Sequence, residues 1–543
     1  MVILEASRRV LGVLLLLLSV SGCVAVSRTD GVRNVAHEVA GASREALPFA
    51  HQGDRGNSGA GADRVTELLD APLTASGAVE VAFLRSPQVL DAAARLGLSQ
   101  ADVVAAGRIA NPTFSGSLIA GAGERQWIAG ISQPISDLLL LSARKRLASG
   151  DYARTQHVVA ASLLDLLRDT EAAWYRYVSA EQVKALRAAV RRSAEIGAAL
   201  AQRFFDAGNV SELDLTLLQA ESSRARLASL RAESDARRAK YDLQQRMGLA
   251  GEPVWRALEV LPAPEIVAET VESLVSRARA RRADLVAARE EVELLGEAVT
   301  TAKRWRWLGT TELGIERERE TDRRKLTGPT LSLALPIFNQ GQAGIARAEA
   351  TLERSRARAL ALEASVENSV RFGVEQVTAT EHLVEEYRQS LVPQHDQIVK
   401  RQQERQNFMF IGQFELLLSK QQQYDAYQGY LEAVRDYWLA RVELARAVGS
   451  DLTSTEKEPG PAVGVDAILH APAASAEHGE HHHHGADAPR ASTTLDTPPE
   501  PDVHDMPGMP GMPGMPGMPE MRAEPSAAAK PKEGSTVPQG DRP

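Results

Sequence analysis

Apolar residues recur along two stretches of the chain at spacings typical of long coiled-coil helices. The first stretch runs from Leu138 to Ala207 without a proline, and its stripe includes Leu163, Leu166, Ala173 and Tyr177. The second follows the segment NQGQAG, and its stripe includes Leu362, Val366, Val370, Val374 and Val377. A helix of roughly 70 residues is on the order of 100 Å long, which is more than a globular domain requires.

Each predicted long helix ends in a turn and is followed by a shorter returning helix. The turns cover residues 207–211 and 411–413, and the returning helices end at Gly248 and Gly449. Glycine at the end of a helix is a natural C-cap. Pro393 lies inside the second long helix, where it predicts a kink that the first helix lacks.

The two halves of the chain resemble each other. Residues 213–248 align with residues 414–449 without a gap at an offset of 201. Upstream, ISQPI at 131–135 aligns with LALPI at 333–337. This pattern predicts an internal two-fold repeat, with a first unit over 63–250 and a second over 251–450.

Two short segments of different character precede each long helix. They cover residues 113–122, 125–133, 310–318 and 329–337. Leucines at 331, 333 and 335 alternate with Ser332 and Ala334, a period-two pattern that predicts strands with one apolar and one small or polar side. The sequence thus indicates a mainly α fold with a small β part.

Tryptophans lie near the ends of these predicted strands, at positions 127, 305 and 307. Aromatic residues form such girdles where strands cross a membrane surface. Four strands cannot close a barrel, and open sheet edges cannot face lipid. If the strands cross a membrane, an oligomer must therefore pool them.

The N-terminus resembles an export signal. Arg8 and Arg9 precede an apolar run, and VSGC, which ends at the only cysteine, Cys23, resembles the bacterial lipobox. We predict a lipoprotein signal peptide over 1–22, acylation of Cys23 and sorting to the outer membrane; the alternative is an ordinary signal peptide. Residues 23–62 are polar and glycine-rich, which predicts a flexible linker.

The C-terminal segment 451–543 has no apolar period and is predicted to be disordered, with candidate ligands for soft metal ions. It contains a methionine at every third position over 506–521 and a run of four histidines. Thioether sulfur suits Cu(I) and Ag(I), whereas imidazole suits Cu(II), Zn and Ni. The candidate ligands are His478, His481, His482, His483, His484, His504, Met506, Met509, Met512, Met515, Met518 and Met521. A low-complexity expansion without a ligand is the alternative.

Residues 66–449 resemble the TolC-type outer-membrane factors, which form exit channels of tripartite efflux and type I secretion systems. The resemblance rests on GPTLSLALPIFNQGQA at 328–343, ISQPISDLLL at 131–140, RADL at 282–285 and the two turn-helix repeats ending in MG and VG. It implies a homotrimer in the outer membrane, with four strands per chain in a 12-stranded barrel and long helices forming a periplasmic tunnel. It also implies a periplasmic adaptor and an inner-membrane pump of the resistance-nodulation-division type.

The resemblance places Asp214 and Glu415 at acidic positions around the periplasmic aperture. A second acidic position, one helical turn later in some members, is occupied here by Leu217 and Leu418. The alternative for both carboxylates is a favourable interaction with the N-terminal end of a helix dipole.

We expect no enzyme, because the chain lacks a P-loop, a GxSxG elbow and an HExxH motif. A net charge of -9 with both signs interspersed also disfavours nucleic-acid binding. We therefore predict a passive, lipid-anchored channel for heavy-metal ions, Cu or Ag first and Zn, Co or Cd second, that requires no cofactor. Two alternatives remain: a drug-efflux or type I secretion channel with an incidental tail, and a lipid-tethered periplasmic scaffold.

Overall fold

The computed structural model describes residues 29–43, 59–121, 124–251, 254–320, 322 and 324–453. The predicted signal peptide, Cys23 and the chain beyond Thr453 lie outside these residues. The candidate metal ligands of the tail, from His478 to Met521, therefore lie outside them too.

The described residues form helices and one small sheet. The first half contains α1 (Thr29–Ala42), α2 (Gly59–Asp70), α3 (Ala75–Arg85), α4 (Pro87–Ala106), β1 (Thr113–Gly121), β2 (Glu124–Pro134), α5 (Ile135–Asp206) and α6 (Glu212–Arg246). The second half contains α7 (Val271–Arg281), α8 (Ala283–Arg304), β3 (Thr311–Arg319), β4 (Lys325–Leu333), α9 (Gln342–Glu386), a π-helical turn (Tyr387–Leu391), α10 (Val392–Asn407) and α11 (Gln413–Val448). A helix pair, a strand pair, a long helix and a returning helix thus follow one another in both halves.

The fold is mostly helical with a small sheet, as the sequence predicted. The predicted helix over 138–207 is α5, an uninterrupted helix of 72 residues. Of its predicted stripe, Leu163, Leu166 and Tyr177 are buried. The apolar period thus located the buried face of this helix.

The N-terminal part departs from the prediction, because residues 29–42 form a helix where a flexible linker was expected over 23–62. Val35 and Val39 of α1 are buried in a cluster with Val159 and Leu163 of α5. The spacing of these valines matches one helical turn, and their burial stabilises the helix against α5. The polar, glycine-rich composition of the segment hid this short stripe.

The turns at the ends of the two long helices have the same geometry but different residues. Gly208 has φ +75° in the first turn, and Met409 has φ +59° at the equivalent position in the second. A left-handed conformation is accessible to glycine at little cost, whereas a side chain raises the energy by roughly 1–2 kcal/mol. The second turn is therefore strained at Met409.

Pro393 affects the second long helix as expected from its chemistry. It lies at the start of α10, directly after the π-helical turn Tyr387–Leu391. Proline has no N–H, and its ring clashes with the carbonyl of a regular preceding turn, so a wider turn accommodates it. In the first half, α5 has no such interruption.

Aromatic residues fill the core where the returning helices end against α5. Tyr175 stacks on Trp438 of α11, with ring centroids 5.0 Å apart, and the buried Trp174 donates from Nε1 to the Leu73 carbonyl at 2.9 Å.

Gly248 ends α6 at φ +68°, and a Cβ there would lie 2.6 Å from the Arg85 carbonyl oxygen. Only glycine therefore fits this contact between the end of α6 and the segment after α3.

One carboxylate joins both returning helices to α5. Asp169 of α5 pairs with Arg246, near the end of α6, at 2.8 Å, and with Arg446, near the end of α11. Burial raises the pKa of Asp169, but the hydrogen bonds and charges of Arg446 and then Arg246 outweigh it and lower the pKa below its ordinary value. The two halves of the chain thus share this ion-pair cluster.

Across the described ranges, no helix combines the length and the apolar character needed to cross a membrane.

Candidate functional site

The four strands form one antiparallel sheet in chain order, with β1 and β4 at its edges. Ser132 lies opposite Thr113 on β1 and Gly314 on β3, and Gly314 lies opposite Thr330 on β4. Residues that pair directly across strands point to the same side of a sheet. This register therefore assigns every strand residue to one of two faces.

One face, which we call the apolar face, carries large hydrophobic side chains, together with Arg125, Arg317, Arg319 and Lys325 toward the end where β3 turns into β4. It includes Phe114, Leu118, Trp127, Ile131, Leu313, Ile315, Leu331 and Leu333. All of these side chains except the half-buried Trp127 are exposed in the isolated protomer, with Phe114 at 72% and Leu331 at 68% exposure. A continuous apolar patch of this kind is typical of a surface that contacts lipid or another chain.

The predicted aromatic positions lie toward both ends of the sheet. Trp127 is opposite Arg319, near the end where β3 turns into β4. Trp307 precedes β3 at the other end, is 55% exposed and has the Arg306 guanidinium 4.8 Å from its ring centroid. Aromatic rings with nearby cations suit the boundary between lipid and water.

The opposite face, which we call the polar face, carries small residues and carboxylates. Its members include Thr113, Ser115, Ser117, Gly130, Ser132, Gly314, Gly328, Thr330 and Ser332, together with Glu312, Glu316 and Glu318 of β3. Ile119, Ile128 and Leu326 add apolar surface near the end where β3 turns into β4. Among the paired residues this face contains no lysine or arginine, so its electrostatic potential is negative.

The three glutamates differ in their surroundings. Ser132 Oγ donates to Glu312 Oε2 at 3.1 Å, and the Gln126 side-chain amide donates to Glu318. Glu316 lies opposite Gly130 on one side and Gly328 on the other. Both directly paired neighbours lack side chains, and the Glu316 side chain is half-buried.

The two predicted aperture residues occupy equivalent positions in the first turns of α6 and α11. Ser211 caps α6, accepting from the Asp214 backbone N–H at 3.1 Å and donating to Asp214 Oδ2 at 2.7 Å. Glu415 is the third residue of α11, whose N-cap is Gly412. Both carboxylates are exposed and stand where they favour the helix dipole. Within the described residues, no hydrogen bond or ion pair joins Asp214 to Glu415, and the aperture role stays a prediction.

Exposed apolar side chains surround these carboxylates, and we call this surface the apolar tip. Leu217 and Leu418, each one turn after a carboxylate, are 39% and 49% exposed. The second turn adds Phe408, Met409 and Phe410, with Met409 at 93% exposure. The helix turns thus present hydrophobic groups to solvent, which is unusual for a surface without a partner.

The described chain ends in contact with the body. Arg168, which is buried, pairs with Asp451, and Thr453 N–H donates to Glu269 Oε1 at 2.9 Å. The Ala268 N–H donates to the Thr453 carbonyl at 3.1 Å. A search of the described residues finds no group of three or more His, Cys, Asp or Glu side chains that could hold a metal ion.

The sequence analysis missed the acidic polar face, although a signal was present. In TELGIERER the glutamates at 312, 316 and 318 share the parity of Gly314, whereas Leu313 and Ile315 have the opposite parity. The charged residues at 317 and 319 obscured the alternation.

No protein-family model matches the chain, and no curated protein sequence matches it either. Solved structures of membrane channels do match. CusC, described for conformational changes during folding and transmembrane channel formation, has a TM-score of 0.59 and 14% identity, covering 69% of this chain and 92% of that chain.

Two further outer-membrane proteins give similar values. The VceC protein of Vibrio cholerae has a TM-score of 0.56 at 15% identity, covering 69% of this chain and 96% of that chain. The open MtrE channel of Neisseria gonorrhoeae has a TM-score of 0.58 at 13% identity, covering 69% of this chain and 89% of that chain. The resemblance noted in the sequence is thus confirmed at the level of fold: this chain has the fold of the TolC-type outer-membrane channels.

Proposed function

We propose that the chain is the outer-membrane exit duct of a tripartite efflux system and that it carries metal cations. The observation that supports a duct best is the two-faced sheet, which continues directly from β2 into α5. One face suits lipid and the other suits an aqueous lumen, as in a membrane barrel. The long helices would extend the same passage into the periplasm.

A single copy cannot form this passage, because its four-stranded sheet is open at β1 and β4. Unpaired strand edges are not tolerated in hydrocarbon, so other copies must supply their partners. Three copies, the number that the family resemblance implies, give 12 strands. We expect the purified protein to run as a trimer and to conduct ions in a planar bilayer. A lipid-tethered scaffold would give no conductance, and that result would remove the duct proposal.

The length of the segment between Cys23 and α1 supports a lipid anchor at Cys23. Gly31 of α1 lies against Tyr152, since a Cβ on Gly31 would be 1.9 Å from the Tyr152 hydroxyl. Tyr152 lies roughly 26 Å along α5 from Ile135, where the sheet ends, at 1.5 Å per residue. The six residue steps from Cys23 to Thr29 span at most about 21 Å when extended, and the two helical steps from Thr29 to Gly31 add about 3 Å. At full extension Cys23 therefore lies within about 2 Å of the level of Ile135. An acyl group on Cys23 can thus reach the membrane surface. Replacing Cys23 with alanine should abolish acyl labelling in mass spectrometry, whereas a persisting label would refute the anchor.

Two features support cations as the cargo. On β3 the polar face of the sheet carries Glu312, Glu316 and Glu318, and it has no basic residue among its paired positions; a negative lumen raises the local cation concentration. The histidines and methionines between His478 and Met521 add imidazole and thioether ligands, which favour Cu and Ag, then Zn, Co and Cd. We infer that this tail buffers or delivers metal for export.

The partners that we propose are a periplasmic adaptor and an inner-membrane pump of the resistance-nodulation-division type. The apolar tip offers a surface for another protein, and its exposed Phe408, Met409 and Phe410 are suited to insertion between partner side chains. The chain contains no motif for nucleotide hydrolysis, so we assign energy coupling to the pump.

The cargo can be tested by deleting the gene and complementing it with the full chain or a chain ending at Thr453. We expect deletion to lower copper and silver tolerance, and the shortened chain to restore it only in part. Unchanged metal tolerance together with lowered drug tolerance would favour the alternative, a drug-efflux channel with an incidental tail.

A second measurement tests the ligands themselves. Cu(I) titration should compare the full chain with a variant in which the six methionines from Met506 to Met521 are leucines. Leucine keeps the size and apolar character but removes the sulfur. Equal Cu(I) binding by the two proteins would exclude these thioethers as ligands.

A further inference from the structure

The helix α1, which lies between Cys23 and the body of the chain, is fastened by a histidine that contacts two carboxylates. His157 of α5 has its Nδ1 2.8 Å from Glu38 Oε1 of α1. Its Nε2 lies 3.4 Å from Glu290 Oε1 of α8. The imidazole therefore stands between α1 and a helix of the second half.

The site is partly removed from solvent. The side chains of His157 and Glu38 are each 27% exposed, and that of Glu290 is 34% exposed. The second oxygen of Glu290, Oε2, is buried without a hydrogen-bond partner in the described structure. Water therefore screens these contacts less than it would on an open surface.

A neutral imidazole cannot satisfy both contacts. It carries one N–H, so one ring nitrogen donates to a carboxylate while the other directs a lone pair at the second carboxylate. The protonated imidazolium donates from both nitrogens, and a proton on Glu290 would equally satisfy Nε2. In either case both contacts of the ring are satisfied only when the cluster holds one proton more than a neutral imidazole with two ionised carboxylates.

The charged groups in contact with the imidazole are Glu38 on α1 and Glu290 on α8, while on α5 itself Arg154 is engaged with Asp151 at 2.8 Å. Helix α4 also packs on α5, beside Val159 and Leu163, and its Arg95 is paired with Asp91 at 2.8 Å. The groups described in contact with the ring are thus both acidic. Helix α1 is also attached through the apolar contacts of Val35 and Val39 and through the hydrogen bond from the Asp451 N–H to the Ala42 carbonyl at 2.9 Å.

We propose that His157, Glu38 and Glu290 form a pH-sensitive clamp that fastens α1, and with it the segment leading to Cys23, to both halves of the fold. The clamp is closed at acid pH, where the extra proton is bound, and is lost as the pH rises and the proton leaves. At alkaline pH α1 is held by the contacts outside the clamp, which are its valines, the packing of Gly31 on Tyr152 and the hydrogen bond from the Asp451 N–H to the Ala42 carbonyl at 2.9 Å.

Hydrogen exchange of the full-length trimer, followed by mass spectrometry and corrected for the intrinsic effect of pH, tests this clamp. The protection of amides 31–42 should fall roughly tenfold between about pH 5.5 and about pH 8, as expected for loss of one charge-assisted contact. His157→Gln should give low protection at both pH values. His157→Arg, which stays protonated, should give high protection at both.

His37→Gln is the matched control, because His37 lies on the same helix, is exposed and has no ion-pair partner among the described residues. It should keep the pH dependence of the natural chain. Glu290→Gln leaves His157 in place, changes one of its two partners and should weaken the pH dependence. It therefore tests the clamp even if the His157 variants fail to fold. Protection that does not change with pH, or that changes equally in His157→Gln, would overturn the clamp.

A bridging metal ion is the competing explanation for a histidine beside a carboxylate. The exchange experiment should therefore be repeated with EDTA and with added Zn(II). Protection at alkaline pH that depends on Zn(II) and disappears with EDTA would replace the proton clamp with a metal site. Identical results in EDTA support the proton.

Discussion

Neutralising Glu316 should weaken the cation preference of the duct more than any other single change on the polar face. Its half-buried side chain lies between Gly130 and Gly328, so neither directly paired residue has a side chain that could hold the carboxylate. In the trimer proposed above, each subunit contributes one copy at the same level of the barrel. Glu316→Gln keeps the size and removes all of these charges.

The size of the effect follows from the geometry of a 12-stranded barrel. Strands about 4.8 Å apart and tilted by about 40° give a radius of roughly 12 Å, which places the carboxylates about 7 Å from the axis. Three charges at this distance in water attract a monovalent cation by about 1.8 kcal/mol. Salt screening reduces this to about 0.8 kcal/mol, or roughly fourfold enrichment of cations. Divalent ions gain about twice that energy.

Reversal potentials in planar bilayers under a KCl gradient measure this preference directly. Glu316→Gln should lower the ratio of potassium to chloride permeability by about fourfold or more. The matched control is Arg317→Gln on the adjacent residue, which points to the apolar face and should change the ratio little. Equal effects of the two substitutions, or no effect of Glu316→Gln, would refute the assignment of lumen and lipid faces.

The remaining predictions concern stability. Gly248→Ala should destabilise the fold by about 3 kcal/mol or more, because it adds a backbone clash to the left-handed strain. Gly208→Ala, where a Cβ meets open space, should cost about 1 kcal/mol. Similar losses for the two variants in thermal unfolding would contradict the contact at Gly248. Met409→Gly should stabilise the second turn by roughly 0.5–1 kcal/mol, and a lower unfolding temperature would show that its left-handed conformation is not strained. Asp169→Asn should destabilise the protein at neutral pH and match the natural chain once the pH falls below the lowered pKa of Asp169, since the contribution of a depressed carboxyl is lost on protonation. A constant difference at all pH values in denaturant unfolding would exclude the ion pairs as its cause.

The long helices and strands could be predicted because their patterns are local. The period of the stripe from Leu163 to Tyr177 locates α5. The alternation around Leu333 predicted a strand over 329–337, whereas β4 begins four residues earlier and ends at Leu333. The polar face could be read from β3 only after the register joined it to β2 and β4. When both faces of a strand contain charged residues, the alternation within that strand alone does not show which face is exposed to water.

Contacts between distant segments could not be predicted from one sequence. Glu38 and Glu290 are far apart in the chain, and nothing local to either residue signals that both contact His157. The same holds for Asp169, whose partners Arg246 and Arg446 lie near the ends of two different helices. For α1, the error arose because composition was weighed over a long segment, whereas burial depends on the short valine stripe.

The two helical hairpins, although built in the same order, should respond differently to force. The first combines the uninterrupted α5 with a glycine turn and a capping Ser211. The second contains a π-helical turn before Pro393 and a strained Met409, and no side chain caps α11 at Gly412. We therefore expect a force applied at the apolar tip to bend the second hairpin before the first. Two units built from the same order of elements thus differ in their expected stiffness.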